Sequence, residues 1–118
     1  MNSVVTLVKP NGKNFVLNSD ELAFCNAVIT AFSKAGIPFN VHLSWKSGDV
    51  INFYFLTNFP GSTCQIGRIK LRNNNKRMQI LSKEKCVWID DIDLQTALSL
   101  IPQWVDYAKR LVQHPGLI

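Results

Sequence analysis

The sequence predicts an α+β fold in which an antiparallel sheet, built from successive hairpins, carries two helices packed on one face. Two segments, one towards each end of the chain, repeat apolar residues at helical spacing. Between them, short runs alternate apolar and polar residues, and clusters of Asn, Gly, Ser and Pro separate these runs. Such clusters favour the tight turns that join neighbouring antiparallel strands. We expect a single domain, 1–118, because 118 residues suffice for one hydrophobic core.

The N-terminal segment, residues 3–17, is predicted to form a hairpin around Asn11-Gly12, a dipeptide that favours tight hairpin turns. Its strands carry apolar residues on both faces. Strands of this kind are either buried on both sides or lie against a second subunit. This hairpin is the first of two features that make a homodimer a hypothesis for this chain.

The first helix is predicted to begin after Asn18, because Asn18 and Glu21 have the spacing of a capping box. Gly36 and Pro38 mark its end, since glycine favours a helix C-terminus and proline cannot continue the helix. Its apolar stripe consists of Leu22, Cys25, Ile29 and Phe32. We expect this helix to support the core and to carry no chemistry.

Residues 39–57 are predicted to form a second hairpin, with Gly48 in its turn. A two-residue loop would mix apolar and polar side chains on each face, whereas a three-residue loop pairs Trp45 with Ile51 and keeps one face apolar. The apolar face then contains Leu43, Trp45, Ile51 and Phe53. The opposite face contains Asn40, His42, Ser44, Lys46, Asn52 and Tyr54.

Residues 64–85 are predicted to form a third hairpin, with Asn74 and Asn75 as a two-residue loop. In this register Arg72 faces Arg77, and the repulsion between them would be relieved by a bound anion. One face then contains Ile69, Leu71, Met78 and Ile80. The other face contains Arg68, Lys70, Arg72, Arg77 and Gln79.

A short strand over residues 86–89 and a long second helix complete the chain. The helix has a core-facing stripe formed by Leu94, Leu98, Ile101, Val105, Ala108 and Val112. A second apolar stripe beside it exceeds what one sheet face covers, so Trp104, Tyr107 and Leu111 are candidate interface residues in a homodimer. Otherwise we expect Trp45, Trp88 and Trp104 to pack in the core, as most tryptophans on inward strand positions and apolar stripes do.

The positive charge of the chain is concentrated in one segment. The net charge is +5, from 13 basic and 8 acidic residues. Residues 64–86 hold seven basic residues and one acidic residue, a net charge of +6, and the remainder holds six basic and seven acidic residues. Charge localised in this way favours an anionic partner over a general role in solubility.

A basic sheet face with an aromatic ring among the cations is typical of nucleic-acid binding, in which cations contact phosphates and a ring stacks on a base. We therefore predict a small non-enzymatic protein that binds nucleic acid or another polyanion. The candidate residues are Arg68, Lys70, Arg72, Arg77, Gln79, Tyr54, His42 and Lys46. The alternative is a protein–protein interaction module that binds an acidic protein or self-associates. An ordinary solvated strand face would have the same pattern.

No motif in the sequence predicts an enzyme, a cofactor or a metal centre. Asp90, Asp91 and Asp93 precede the second helix, where acidic residues cap free N–H groups, so we expect capping in preference to metal binding. His42 and His114 are the only histidines, and neither belongs to an HExxH motif or a Cys/His pair. Catalysis by a Ser or Cys nucleophile would require a neighbouring base that the sequence does not identify.

The cysteines and the hydropathy of the chain indicate its expected compartment. Cys25, Cys64 and Cys86 are widely spaced and form no CxxC motif, which favours reduced thiols in a cytoplasmic protein. No apolar run is long enough to span a bilayer, so we expect no membrane partner.

Overall fold

The computed structural model describes residues 6–8, 14–46, 48–82 and 85–113. The elements in chain order are β1 (Thr6–Val8), β2 (Asn14–Val16), α1 (Ser19–Lys34), β3 (His42–Lys46), β4 (Val50–Leu56), β5 (Thr63–Lys70), β6 (Arg77–Leu81), β7 (Cys86–Asp90) and α2 (Leu94–Leu111). Strands β3 to β7 form one antiparallel sheet in sequence order. The predicted α+β fold, a sheet of successive hairpins with two helices, is confirmed.

The N-terminal hairpin forms a separate two-stranded sheet. Leu7 of β1 lies opposite Phe15 of β2, and β1 lies against β3 at the edge of the larger sheet. The predicted turn at Asn11-Gly12 lies outside the described residues. No helix in the described part of the chain has the length and the apolar character needed to cross a membrane.

Helix α1 begins at the predicted capping box. The Glu21 N–H donates to Asn18 Oδ1 at 2.7 Å, and the Asn18 N–H donates to Glu21 Oε1 at 2.8 Å. Gly36, at φ +74°, follows the end of the helix, where a positive φ is adopted most readily by glycine.

Both helices pack on the same face of the sheet. Phe24 of α1 contacts Phe53 of β4, with ring centroids 5.8 Å apart, and Phe32 contacts Phe55 at 6.2 Å. Trp104 of α2 lies 5.1 Å from Phe53, on the same side of β4. Each of these five side chains is at most 2% exposed, so the core lies between the helices and this inner face.

Trp104 is therefore a core residue, and its expected place in an interface is wrong. Its indole N–H donates to the backbone oxygen of Gln79 at 2.8 Å, and its ring lies against Gly67, where a Cβ atom would be 2.6 Å from Cε2. A β-bulge in β5 places Gly67 at this position, because Phe53 pairs with Gly67 and Tyr54 pairs with Gln65. Two further candidates, Tyr107 and Leu111, are half-buried.

The β3–β4 hairpin has the predicted register. Leu43 pairs with Phe53 and Trp45 with Ile51, and Lys46 pairs with Val50 at the end of the ladder, as the three-residue loop requires. This register places the apolar side chains on the inner face, in agreement with the pattern of alternation.

The β5–β6 hairpin differs from the predicted register by two residues. Ile69 pairs with Met78 and Lys70 with Arg77, so the connection runs over residues 71–76 in place of a two-residue loop. A shift of two residues keeps every paired side chain on its predicted face. It removes Arg72 from the ladder, however, and the predicted Arg72–Arg77 pair is wrong.

Candidate functional site

The outer sheet face is the side of the five-stranded sheet opposite α1 and α2. Seven of the eight residues predicted for a nucleic-acid contact lie on it: His42, Lys46, Tyr54, Arg68, Lys70, Arg77 and Gln79. The exception is Arg72, which turns towards α1. Its Nη2 donates to Glu21 Oε1 at 2.7 Å and to the backbone oxygen of Val16 at 2.5 Å.

Two cations of the outer sheet face are direct cross-strand neighbours. Lys70 pairs with Arg77, and Arg77 pairs with Asp90 on its other side. The Lys70 ammonium donates to the backbone oxygen of Asn74 at 2.5 Å. Like charges placed directly opposite each other destabilise a strand pair. The repulsion that the sequence predicted for Arg72 and Arg77 therefore applies to Lys70 and Arg77.

None of these cations forms an ion pair with a carboxylate among the described residues. In the part of the chain that the structure describes, the one ion pair joins Arg72 to Glu21. Arg68, Lys70 and Arg77 thus have no carboxylate partner there. Since Lys46 also lies on the outer sheet face, this face has four cations and one carboxylate, Asp90, in its paired strands.

Aromatic rings lie at both ends of the strand order. His42 and Tyr54 are cross-strand partners on β3 and β4, and their rings stack with centroids 5.6 Å apart. Trp88 on β7 lies under the Arg77 guanidinium, which is 4.4 Å from the ring centroid. The expectation that Trp88 packs in the core is wrong, because Trp88 pairs with Gln79 on the outer sheet face.

The sequence did contain a signal for the position of Trp88. Val87 and Ile89 flank it, and strict alternation along a strand sends neighbouring side chains to opposite faces. If the two aliphatic residues face the helices, Trp88 must face outward.

A row of polar side chains lies on the outer sheet face between the His42–Tyr54 pair and Trp88. The Gln65 amide donates to Gln79 Oε1 at 2.5 Å, and the Gln79 amide donates to Cys86 Sγ at 3.1 Å. Arg68 Nε donates to Asn52 Oδ1 at 3.4 Å. Asn52 and Gln79 are each 7% exposed. Gln79 therefore supports its neighbours and offers little surface to a ligand.

One end of the outer sheet face opens into a polar groove of about 560 Å³. Its lining comprises Gly48, Val50, Lys70, Asn75, Arg77, Asp90 and Asp91. Two loops close it: the β3–β4 connection and residues 71–76, which are joined by the Asn73 amide donating to Asp49 Oδ2 at 2.6 Å. Its charged lining consists of two cations, Lys70 and Arg77, and two carboxylates, Asp90 and Asp91.

Two of the described thiols away from this face, Cys25 and Cys64, have raised pKa values. Burial, reinforced by the charge of Glu21, raises the pKa of the Cys25 thiol to about 12, which opposes formation of a thiolate. Burial also raises the pKa of the Cys64 thiol. Among the described residues, no group of three or more His, Cys, Asp or Glu side chains is arranged to hold a metal ion.

The three aspartates before α2 have separate roles. Asp93 caps the helix, and its Oδ1 accepts the Thr96 N–H at 2.8 Å. Hydrogen bonds from Thr96 lower the pKa of this carboxyl group. Asp90 ends β7, and Asp91 adopts φ 55° in the connection. The predicted capping is confirmed for Asp93. His114 lies outside the described residues.

Comparison of the chain with protein-family models, with curated proteins and with solved structures gives no match.

Proposed function

We propose that this protein binds nucleic acid through the outer sheet face, with a preference for single strands. Arg68, Lys70 and Arg77 contact phosphates, while Tyr54 and Trp88 stack on bases. Cation–phosphate contacts supply affinity for any nucleic acid, and stacking adds affinity only where bases are unpaired and accessible.

The observation that carries this proposal is the pairing of Lys70 with Arg77, neither of which forms an ion pair with a carboxylate among the described residues. A phosphate between the two side chains neutralises their repulsion and gains two charge-assisted hydrogen bonds. The neighbouring groove of about 560 Å³ has room for a phosphate and its sugar. The third cation, Arg68, lies on the same face of β5, two residues before Lys70.

The aromatic rings favour single strands over a duplex. Tyr54 on β4 and Trp88 on β7 are separated by three strand intervals, or about 14 Å across the strands at a spacing of about 4.8 Å, and by two residues along them. A single strand that crosses the sheet would meet one ring at each end and the cations between them. Sheet faces that bind single strands stack two or three bases in this manner. The paired bases of a duplex are not available for such contacts.

The test is a binding panel in which fluorescence anisotropy is measured for labelled single-stranded DNA, single-stranded RNA and a duplex at low salt. Lys70→Ala and Arg77→Ala should weaken binding to every sequence. The matched controls Lys34→Ala and Arg110→Ala remove the same charges from exposed positions on α1 and α2, and should leave binding unchanged. Trp88→Ala should reduce single-strand affinity by about 1–3 kcal/mol and leave duplex affinity unchanged.

Two results would contradict the proposal. One is the absence of binding at low salt, and the other is an equal loss of affinity in the Lys70→Ala, Arg77→Ala and control variants. Heparin and polyglutamate complete the panel. Binding to polyglutamate that equals or exceeds binding to nucleic acid would favour the alternative, a module that recognises an acidic protein.

A further inference from the structure

Strand β7 has a free edge. Among the residues that the structure describes, β7 pairs with β6 alone, whereas the opposite edge strand, β3, has β1 lying against it. The unpaired N–H and C=O groups of an edge strand are a template for another strand. Natural edge strands are commonly protected by charged side chains, proline or a bulge; β7, CVWID, has no lysine, proline or bulge, and its one charged residue is Asp90 at its end.

The hydrogen-bond phase of the β6–β7 ladder identifies the groups on this edge. The Ser82 N–H donates to the Lys85 oxygen at 2.9 Å, so these two residues are a hydrogen-bonded pair at the end of the ladder. Hydrogen-bonded pairs alternate along an antiparallel ladder, which makes Val87 and Ile89 the β7 residues bonded to β6. The backbone groups of Cys86, Trp88 and Asp90 consequently point away from β6.

These outward groups match those of a second β7 in antiparallel orientation. When Trp88 lies opposite Trp88 of the second copy, Cys86 lies opposite Asp90 of that copy, and every outward residue meets another outward residue. In this register all five residues of β7 are paired. Any other register that also places outward residues opposite each other pairs fewer residues. A two-fold axis through the Trp88 pair relates the copies, so the interface is isologous.

The side chains are complementary in the same register. Cys86 lies opposite Asp90 of the second copy at both ends of the strand, so no like charges meet in this register. On the helix side, Val87, which is 47% exposed, lies opposite Ile89 of the second copy. The pairing therefore buries an exposed aliphatic side chain and places no like charges opposite each other.

We propose that this chain forms a homodimer by antiparallel pairing of β7 with β7 of a second copy. The two five-stranded sheets join into one sheet of ten strands. A two-fold axis perpendicular to the sheet leaves both outer sheet faces on the same side. The dimer does not depend on the proposed nucleic-acid function, since it forms through backbone groups of β7 and through Val87 and Ile89 on the inner face; Trp88 alone belongs to both surfaces.

Disulfide cross-linking tests the register. Asp90→Cys introduces a thiol opposite the native Cys86 of the second copy, at the Cα separation of about 5.5 Å expected for a hydrogen-bonded pair. This separation permits a disulfide. Mild oxidation should yield a covalent dimer on a non-reducing gel. In Asp90→Cys combined with Cys86→Ser, the introduced thiols are on neighbouring strands, offset by four residues or about 13 Å along them, and should not cross-link.

Sedimentation equilibrium tests the association itself. The wild-type protein should sediment as a dimer, and Val87→Lys should raise the dimer dissociation constant by about tenfold or more, because a charge then faces Ile89 of the second copy. Phe59→Lys is the matched control, since it adds the same charge at a 69% exposed aromatic residue remote from β7. Circular dichroism establishes that each variant is folded.

A monomer at high concentration would overturn the proposal. So would equal cross-linking of Asp90→Cys with and without Cys86, or a Val87→Lys protein that is folded and dimerises like wild type.

Discussion

At the scale of single residues, the Arg72 guanidinium links the β5–β6 connection to the start of α1. The Glu21 side chain is fully buried, and its Oε1 accepts hydrogen bonds both from the Asn18 N–H and from Arg72. A buried carboxylate is tolerated only where its charge is compensated. Arg72 supplies this compensation and is withdrawn from the outer sheet face.

Replacing Arg72 with alanine should therefore destabilise the fold. The loss should be about 3 kcal/mol, the lower end of the range for breaking a buried pair, because the Arg72 side chain is still 26% exposed. The measurement is the free energy of unfolding in urea. Arg110→Ala, which removes an exposed arginine, should change it by less than about 0.5 kcal/mol. An Arg72→Ala protein as stable as wild type would mean that Glu21 does not need this partner.

At the scale of elements, the contact between β5 and α2 depends on the absence of a side chain at Gly67. A Cβ atom there would lie 2.6 to 2.9 Å from three atoms of the Trp104 ring, which is itself fully buried. Trp104 also bonds to the Gln79 backbone oxygen, so one side chain joins α2 to both β5 and β6.

Gly67→Ala should consequently destabilise the protein by about 1–3 kcal/mol through overpacking. Trp104→Phe removes the indole ring atoms that the new methyl group would strike, at the cost of a hydrogen bond and some packing. In a double-mutant cycle of unfolding free energies, the two changes should show a favourable coupling of at least about 0.5 kcal/mol. Additive effects would show that Gly67 and Trp104 do not constrain each other.

Much of the fold follows from local patterns in the sequence. The capping box of Asn18 and Glu21 identified the start of α1, and alternation of apolar residues selected the three-residue β3–β4 loop. Each signal lies within a few residues of the structure that it determines. The side of the sheet on which Arg68, Lys70 and Arg77 lie was also predictable, because side chains along a strand alternate between the two faces.

Other features depend on residues far apart in the chain and could not be predicted in this way. A period of two does not distinguish β5–β6 registers that differ by two residues. The Arg72–Glu21 pair spans 51 residues, and it favours the longer connection that releases Arg72 from the ladder. The position of Trp104 depends on a bulge in another strand. Tertiary contacts therefore determine the β5–β6 register and the position of Trp104.

At the scale of the whole molecule, the folded chain divides its basic residues between two roles. Arg72 compensates Glu21 in the interior, while Lys46, Arg68, Lys70 and Arg77 lie on the outer sheet face. The net charge of +5 attracts anionic ligands to the protein, and the four cations of the outer sheet face concentrate this attraction on one surface. We propose that these cations bind phosphate groups.

The salt dependence of single-strand binding tests that claim most directly. Three phosphate contacts, from Arg68, Lys70 and Arg77, predict that log K falls linearly with log salt with a slope of about −2.1. Arg77→Ala should reduce the magnitude of the slope by about 0.7, because one fewer phosphate is neutralised, while Arg110→Ala should leave it unchanged. A slope near zero, or the same slope for the wild type and Arg77→Ala, would contradict phosphate binding by the outer sheet face.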